Sequence, residues 1–125
     1  MAVVMKRTYR LRNRRDFASV FKYGKSTANR YFVLYVLNKR EEGSVRIGIS
    51  VSKKVAKRAV DRNRVKRLVK EVVRQWIGQL PDGVDLIIIA RKAAVGLNYR
   101  QTEQQLVHVF KKARLDVRDS DAPKR

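Results

Sequence analysis

The residues best suited to chemistry in this sequence are the lysines and arginines of one dense run, from Lys53 to Trp76. The run holds ten of the 31 lysine and arginine residues of the chain, and only Asp61 and Glu71 offset their charge. Cations this close repel one another unless a polyanion neutralises them, so the run predicts a surface that binds nucleic-acid phosphates. An ordinary solvated helix usually mixes both charge signs, which makes that alternative the weaker interpretation.

Groups that could cleave a nucleic acid are missing from the sequence. A protein nuclease would gather carboxylates around metal ions or pair histidines as general acid and base. His108 is the sole histidine, and the eleven acidic residues are scattered along the chain. There is also no glycine-rich phosphate loop and no nucleophile elbow. We therefore expect a protein that binds rather than reacts, without catalytic residues or metal ligands of its own and with His108 as a surface or partly packed side chain.

Length and composition favour one small folded domain with its charge on the outside. The chain has 125 residues, 44% of them hydrophobic, and a formal net charge of +20. No apolar stretch approaches the about 20 residues of a transmembrane helix, and no signal peptide is recognisable. The absence of cysteine fits a reducing cytoplasm. We expect a cytoplasmic protein with a polyanionic partner and no membrane association, and adsorption of the basic run to anionic lipid is the weaker alternative.

The basic run has the periodicity of a single amphipathic helix over residues 53–76. At 100° per residue, six apolar side chains fall in one arc and five basic side chains share the opposite side. The apolar set is Val65, Leu68, Val69, Val72, Val73 and Trp76, and the basic set is Arg64, Lys66, Arg67, Lys70 and Arg74. The helix would therefore bury one side on the domain and present the other side to phosphates.

The remaining predicted elements are strands and two further helices that form one domain over residues 13–115. In chain order they are a flexible basic arm over 1–12, a helix over 14–23 capped by Asn13 and stopped by Gly24, strands over 30–37, 45–51 and 84–90, a helix from Asn98 to Arg114, and a disordered tail over 116–125. The unbroken apolar run of 86–89 within the strand over 84–90 predicts a central strand that is buried on both faces. The polar residues 39–43 predict a hairpin turn between the first two strands.

Several aromatic residues are placed where they could serve either the core or a ligand. Phe17 and Phe21 are four residues apart on the predicted first helix, and Tyr31, Val33 and Tyr35 alternate on one side of the first strand. Aromatic residues at helical spacing usually pack into the core. Aromatic rows on a sheet can instead stack nucleobases. The residues alone leave both interpretations open.

The basic run contains Arg62-Asn63-Arg64-Val65-Lys66-Arg67, with Ser52-Lys53-Lys54 before it, and this pattern closely resembles the protein component of bacterial ribonuclease P. The resemblance covers about residues 6–115 and includes four further blocks in the same order. They are Arg14 to Phe17 with Val20-Phe21, Ala28 to Arg30 with Phe32 to Tyr35, Arg46 to Ser52, and Leu86 to Lys92. One basic motif is a weak signal, whereas five ordered blocks are specific. Ala56 departs from the pattern, because many members carry glycine there.

The resemblance implies an α+β fold in which a small mixed sheet packs with helices. In the resembled family the helix with the Arg-Asn-Arg motif makes a left-handed βαβ crossover, against the general right-handed rule, and the fold is that of the second domain of a small-subunit ribosomal protein. By resemblance, ten residues would bind a catalytic RNA: Lys53, Lys54, Lys57, Arg58, Arg62, Asn63, Arg64, Lys66, Arg67 and Lys70. The cleft for the single-stranded 5′ leader of precursor tRNA would be lined by Phe17, Phe21, Tyr35 and Arg91.

The implied function is to assist an RNA enzyme that removes the 5′ leader from precursor tRNA. Proteins of the family have no active site, so the chain would be an endoribonuclease subunit whose catalysis lies in the RNA, with Mg²⁺ held mainly by that RNA. Positive charge between two RNA polyanions would lower their repulsion and the Mg²⁺ that they need. The implied partners are the catalytic RNA and precursor tRNA, with no protein partner. A non-catalytic RNA-binding protein of another kind, such as a ribosomal protein, is the alternative that composition favours equally.

Overall fold

The computed structural model describes residues 9–38, 43–115 and 117, and it shows a mixed α+β architecture. The elements in chain order are α1 (Arg14–Tyr23), β1 (Lys25–Ala28), β2 (Phe32–Asn38), β3 (Arg46–Ser50), α2 (Ala59–Arg74), β4 (Val84–Ala90) and α3 (Tyr99–Lys112). Short 3-10 helices follow α2 at Ile77–Gln79 and β4 at Lys92–Ala94. The predicted α+β class is confirmed. Within the described part of the chain, no helix is long and apolar enough to cross a membrane.

The four strands form one mixed sheet in the order β1-β2-β4-β3. Strand β2 is antiparallel to both β1 and β4, so that Tyr35 lies opposite Ser26 on one side and Ile87 on the other. Strand β3 is parallel to β4, and α2 connects these two strands, as the βαβ prediction requires. The hand of this crossover stays a prediction. Strand β4 has the central, buried position that its apolar run predicted.

The predicted hairpin between β2 and β3 is wrong, because β4 lies between these two strands. Strand β4 is apolar on both faces, so its pairing with both neighbours buries more apolar surface than direct pairing of β2 with β3. The hairpin in the structure instead joins β1 to β2. Strand β1 has only four residues, polar in sequence and half exposed at the sheet edge, and such a segment gives no hydrophobic pattern. Residues 39–42 of the predicted turn lie outside the described residues.

The larger core lies between one face of the sheet and helices α2 and α3. Trp76 and Phe110 are fully buried there, with their ring centroids 5.1 Å apart. The sheet contributes Phe32, Leu34, Leu86 and Ile88, and the helices contribute Val65, Val69, Val72, Val73, Leu106 and Val109. This packing fixes the inner side of α2, so the opposite side of the helix faces outward.

A smaller core lies between the other face of the sheet and α1. Leu11, Val20 and Ile87 are buried in it, and Phe17, Tyr35, Leu37 and Ile89 pack around them with partial exposure. Helix α1 has the predicted bounds, with the Asn13 side chain accepting a hydrogen bond from the backbone N of Arg15 at 2.8 Å. At Gly24, where the helix stops, a Cβ atom would lie 2.5 Å from the carbonyl oxygen of Val20. Glycine therefore lets the chain turn directly from α1 into β1.

The packed part of the chain extends beyond both predicted domain boundaries. Leu11 is buried, and its backbone N donates to the carbonyl oxygen of Ile47 at 3.0 Å, next to an isolated bridge between Arg10 and Ile47. Val117 is fully buried, although the predicted tail begins at residue 116. Both are apolar residues in otherwise polar segments. The prediction used the average composition of each segment, which does not show that a single apolar residue packs on the core. Residues 1–8 of the predicted arm and residues 116 and 118–125 of the predicted tail lie outside the described residues.

Helix α2 begins at Ala59, so the prediction of one helix over 53–76 is too long at its start. Lys53, Lys54 and Lys57 lie in the connection that precedes the helix rather than on its face. The buried stripe of α2 starts only at Val65, and Val60, the apolar side chain of its first turn, is 59% exposed. Because packing stabilises most helices more than propensity does, the crowded cations before Ala59 do not extend the helix.

Candidate nucleic-acid interface

The outer side of α2 and the connection before it form one positively charged surface. Lys53, Lys54, Lys57, Arg58, Asn63, Arg64 and Arg67 are exposed, whereas Arg62, Lys66 and Lys70 are partly exposed. We call these ten residues the basic surface. Among the described residues, one ion pair offsets its charge, between Arg58 Nε and Asp61 Oδ2 at 3.4 Å. Both partners are well exposed, so this pair is weak and leaves the surface strongly positive.

Two arginines of the basic surface also hold neighbouring loops in place. Arg62 Nη1 donates to the carbonyl oxygens of Ala56 at 3.0 Å and Lys57 at 2.7 Å. Arg64 Nη1 reaches two carbonyl oxygens of residues 95–97, at 3.3 and 3.4 Å. A guanidinium has five N–H donors, so each side chain keeps donors for phosphate. Arg62 therefore also positions the connection that carries the preceding lysines.

Lys66, Arg67 and Lys70 form no hydrogen bond or ion pair with the other residues that the structure describes. Solvent counterions gather at such exposed cations, and a polyanion would release them on binding. Asn63 is exposed on the same helix, three residues before Lys66 and four before Arg67, where it is a neighbour of both. Its amide has donors and an acceptor but no charge, so it can orient a nucleic acid that the cations attract.

On the opposite face of the sheet, Phe17, Phe21 and Tyr35 meet, and we call these three residues the aromatic cluster. The ring centroids of Phe21 and Tyr35 are 4.9 Å apart at an angle of 82°, and those of Phe17 and Phe21 are 6.4 Å apart. Edge-to-face contacts of this kind are favourable for aromatic pairs. Gly48 lets the Phe17 ring lie on the sheet, because a Cβ at Gly48 would be 2.5 Å from Phe17 Cζ.

The sequence left open whether the aromatic residues pack into the core or bind a ligand, and their exposure in the structure supports a part of each interpretation. Phe17 and Tyr35 are partly buried against the smaller core. Phe21 is 44% exposed, which is unusual for a large apolar side chain inside a cluster. On the same sheet face, Val33 and Ile89 are also only partly buried. The cluster therefore packs at its base and leaves aromatic surface open to a ligand.

The position of α1, and so of Phe17 and Phe21, depends on an ion network that sequence reasoning missed. Arg46 on β3 donates from Nε to Asp85 Oδ1 at 2.9 Å and from Nη2 to Asp85 Oδ2 at 2.7 Å. Its Nη1 also donates to Oδ2 of Asp16 on α1 at 3.0 Å. The hydrogen bond to fully buried Asp85 is the main cause that raises the pKa of Arg46 above its ordinary value. A carboxylate inside the apolar β4 segment was the sequence signal for such a partner.

Arg91 is exposed at the end of β4 and does not join the aromatic cluster. It lies four residues beyond Ile87, the residue opposite Tyr35, which is about 13 Å along a strand. Its backbone N donates to the carbonyl oxygen of Tyr31 at 2.9 Å. The expected aromatic row on β2 also lacks Tyr31, which precedes the strand and packs on the larger core. The structure thus brings together three of the four predicted cleft residues.

Three cations lie beyond the carboxyl ends of β3 and β4, at one end of the sheet that carries the aromatic cluster. Strands β3 and β4 are parallel, and Ser50 pairs with Ile89 near their carboxyl ends. Lys53 and Lys54 follow β3, and Arg91 follows β4, so all three cations lie beyond the same edge. An RNA strand could therefore pass from one surface to the other over positive charge.

Asn29 is a second residue that the sequence analysis did not single out. Its Oδ1 accepts hydrogen bonds from the backbone N of Tyr31 at 2.9 Å and of Phe32 at 2.8 Å, which shapes the turn before β2. Its Nδ2 donates to the carbonyl oxygen of Gln105 at 2.9 Å and lies 3.2 Å from His108 Nδ1. His108 is an exposed side chain, as predicted. In the sequence, an asparagine at this position indicates only a turn. Its contacts with Gln105 and His108 on α3 could not be predicted, because these residues are 76 and 79 positions away.

The described residues contain no group of three or more His, Cys, Asp or Glu side chains that could hold a metal ion. What they do contain is a helix with one basic face, an aromatic cluster with one well exposed ring, and cations beyond the carboxyl ends of β3 and β4. This combination is typical of nucleic-acid-binding proteins, and the fold is of the α+β class.

Comparison with known proteins identifies the family within this class. A family model described as Ribonuclease P matches residues 5–114. A ribonuclease P protein component of Bacillus cereus is 42% identical over 113 residues, which cover 90% of this chain and 94% of that protein. Another, of Bacillus anthracis, is 42% identical over 109 residues, with 87% and 91% covered. The chain therefore belongs to the ribonuclease P protein family, which confirms the resemblance drawn from the five sequence blocks.

Solved structures of the family have the same fold. The RNase P protein of Staphylococcus aureus superposes with a TM-score of 0.79 at 39% identity, covering 86% of this chain and 96% of that one. The RNase P protein from Thermotoga maritima gives a TM-score of 0.72 at 36% identity, covering 82% and 96%. The fold expected from the resemblance is thereby confirmed.

Proposed function

We propose that this chain is the protein subunit of ribonuclease P and that it binds both the catalytic RNA and the 5′ leader of precursor tRNA. Membership of the family, with a match over residues 5–114, supports the role of endoribonuclease subunit. The observation that carries the RNA contacts is the basic surface on α2, whose central cations have no partner among the described residues. Association with the RNA subunit follows from the family, and precursor tRNA as a second partner is our proposal.

The basic surface is our proposed contact with the catalytic RNA. Lys66, Arg67 and Lys70 would neutralise phosphates, and each neutralised phosphate releases counterions that favour binding. Arg62 and Arg64 would add phosphate contacts while they fix the adjacent loops. Asn63 would set the register of the RNA on the helix, since a neutral amide adds direction rather than attraction.

The aromatic cluster is our proposed contact with the leader. A stacked base gains about 1 to 3 kcal/mol on an aromatic ring, and every base has a face to stack. Such a site accepts leaders of different sequence, as an enzyme for many precursor tRNAs requires. Phe21 offers the most accessible ring of the three, whereas Arg91 would meet a leader phosphate farther along the sheet.

The chain itself supplies binding and charge, and we place the chemical step in the RNA. Magnesium ions held by RNA phosphates would activate the attacking water, as metal ions do in phosphodiester cleavage. The formal charge of +20 lowers the repulsion between the two RNAs and so the concentration of Mg²⁺ that they need. We place the assembly in the cytoplasm, and we propose no protein partner.

Reconstitution tests this function directly. Purified protein, the matching catalytic RNA and precursor tRNA are combined, and each is omitted in turn at low Mg²⁺. We expect leader removal with both subunits, little with the RNA alone, and none with the protein alone. A protein that binds these RNAs without promoting cleavage would instead support another RNA-binding role, such as that of a ribosomal protein. Cleavage by the protein alone would contradict the assignment of catalysis to the RNA.

A further inference from the structure

A second positively charged site lies at the β1 edge of the sheet, between β1, β2 and the carboxyl end of α3. It is a cavity of about 740 Å³. The polar residues that line it are three with cationic side chains, Lys25, Lys112 and Arg114, three with hydroxyl groups, Tyr23, Ser26 and Thr27, and Asn38. Among the described residues, no carboxylate lines it. Three cations around one cavity repel one another, so an anion between them would be stabilised. Nearby hydroxyl groups can donate hydrogen bonds to phosphate oxygens.

Arg114 has a backbone conformation that favours glycine. Its φ angle is 62°, in the left-handed region. The backbone N of Arg114 donates to the carbonyl oxygen of Lys111, and that of Leu115 to the carbonyl oxygen of Phe110, both at 2.9 Å. These two bonds form the Schellman motif that ends many helices, usually with glycine at this position. An arginine held in a strained conformation beside a basic cavity indicates a function for its side chain.

Two further side chains are suited to hold an RNA strand at this cavity. Lys112 Nζ donates to the carbonyl oxygen of Ala28 at 2.7 Å, which anchors the ammonium group and leaves two of its three donors unused. Tyr23 is 66% exposed, and Lys22 Nζ lies 5.3 Å from its ring centroid. An exposed aromatic ring next to fixed cations is the arrangement by which proteins bind single-stranded RNA.

We propose that this cavity binds a phosphodiester of single-stranded RNA, with an adjacent base stacked on Tyr23. No residue of α2 lines the cavity, so it is separate from the basic surface. It lies one strand spacing, about 4.8 Å, from the backbone of Tyr35, because Ser26 of β1 pairs with Tyr35 at the sheet edge, whereas α3 and the aromatic cluster lie on opposite faces of the sheet. Either a long leader that continues past the cluster or a single-stranded segment of the catalytic RNA could supply the phosphate. Naming these two RNAs rests on the proposed function.

A plainer role for the cations is to keep the exposed edge of β1 from pairing with other chains, as edge lysines do. That role explains Lys25, which is on the edge strand itself. It does not explain Arg114, which follows α3 and is strained. Binding measurements distinguish the two roles, because edge protection needs no RNA.

The test uses a double variant that removes two cations and keeps the fold. Arg114→Gly relieves the left-handed strain, and Lys112→Gln keeps a donor for the carbonyl oxygen of Ala28. Lys111→Gln is the matched control, because Lys111 is an exposed cation in the same helical turn that does not line the cavity. The full-length protein is titrated with the catalytic RNA over a range of salt concentrations. The assembled holoenzyme is titrated with precursor tRNA carrying either a short leader or a leader extended by an unstructured tract.

We expect the double variant to weaken one of these interactions and to flatten its salt dependence, by about 0.7 in log–log slope for each phosphate that the cavity no longer neutralises. Tyr23→Ala should weaken the same interaction roughly tenfold and leave the slope unchanged. Weaker binding only with the extended leader identifies the leader as the source, and weaker binding with the catalytic RNA identifies that RNA. The proposal is overturned if folded double variants bind every RNA like the unmodified protein, or are weakened no more than Lys111→Gln is.

The outcome is distinguishable from a failure of the proposed function. If reconstitution shows no leader removal, the same variants are titrated with an unstructured oligoribonucleotide and the full-length protein alone. Weaker binding by the double variant but not by Lys111→Gln then supports the cavity as an RNA site even without the processing role. Equal binding by all of them contradicts it.

Discussion

Replacing Phe21 with alanine separates a role in RNA binding from a role in folding. The ring is 44% exposed and packs edge to face against Tyr35, with the two ring centroids 4.9 Å apart. Truncating a fully buried phenylalanine costs about 3 to 5 kcal/mol, so a ring that is close to half exposed should cost roughly 2 kcal/mol of folding stability. If a leader base stacks on Phe21, affinity for precursor tRNA should also fall by about 1 to 3 kcal/mol. This second effect corresponds to roughly a 5- to 150-fold weaker Kd.

Phe21→Leu is the matched variant, because leucine restores most of the apolar volume but has no aromatic face. Unfolding by denaturant should show nearly unchanged stability for Phe21→Leu and a moderate decrease for Phe21→Ala. Equilibrium binding of the holoenzyme to precursor and mature tRNA should show that both variants discriminate less between the two. Mature tRNA lacks the leader, so its affinity should not change.

We expect Phe17→Ala and Tyr35→Ala to reduce the same discrimination while assembly with the catalytic RNA persists. Their partial burial in the smaller core adds a larger decrease in stability than at Phe21. A folded Phe21→Leu protein with full discrimination would refute stacking at this ring. A large fall in melting temperature with discrimination intact would assign the substituted residue to the core.

Three further predictions concern two groups that support the site and one group at the start of α3. Gly48→Ala should destabilise the protein by about 1 to 3 kcal/mol in denaturant unfolding, because its Cβ would displace the Phe17 ring. A variant as stable as the original would contradict this close contact. Asp85→Ala should cost about 3 kcal/mol in the same measurement, because it leaves the partly buried guanidinium of Arg46 without its main partner. A cost below about 1 kcal/mol would show that the network is dispensable. Burial raises the pKa of Tyr99 above its ordinary value of 10.0, so this group stabilises the fold below pH 10.0 and the contribution is lost as the pH rises through the higher folded pKa. Melting temperatures should therefore depend less on alkaline pH in Tyr99→Phe, and equal dependence would contradict the raised pKa.

The parts of the fold that the sequence predicted well are those with a strong hydrophobic period or a clear cap. Helix α1 has its predicted bounds because Asn13 and Gly24 mark both ends. Helix α3 begins after Asn98, which forms a capping box with Gln101. Strand β4 is central because its apolar run is buried on both faces. In each case, one short segment contains the information that determines the element.

The errors arose where tertiary pairing determines the structure. The order of strands in the sheet depends on which long-range pairs bury most surface, and no local pattern shows that β4 separates β2 from β3. Edge strand β1 is polar and short, so its backbone pairing with β2 is its main reason for being a strand. The start of α2 depends on where its side chains begin to pack on the core. The high density of cations over residues 53–58 gives no information about that position.

The candidate site was predictable in its residue types but not in its internal contacts. The density of cations predicted the basic surface, and the helical period predicted which side of α2 carries it. The hydrogen bonds of Arg62 and Arg64 to loop carbonyl oxygens depend on the folded path of those loops. The same is true of Arg46, whose two carboxylate partners are 30 and 39 residues away. The separation of Arg91 from the aromatic cluster likewise follows from strand register alone.

These loop contacts determine which variants test the basic surface cleanly. Replacing Arg62 or Arg64 by alanine removes a phosphate ligand and a loop anchor together, so any decrease in RNA binding has two causes. Lys66, Arg67 and Lys70 have no such intramolecular contact among the described residues. Their replacement by glutamine removes charge and leaves the fold intact.

The salt dependence of assembly between this protein and the catalytic RNA tests the central claim most directly. The triple variant Lys66→Gln, Arg67→Gln, Lys70→Gln is compared with the unmodified protein and with a control, Lys92→Gln, Lys111→Gln, whose substituted cations are exposed outside α2. If α2 holds the RNA through phosphates, the triple variant keeps its melting temperature and binds more weakly. Its slope of log K against log salt should be flatter by about 2 to 3, while the control stays close to the original. A folded triple variant with an unchanged slope would contradict the assignment of α2 as the surface that binds the catalytic RNA.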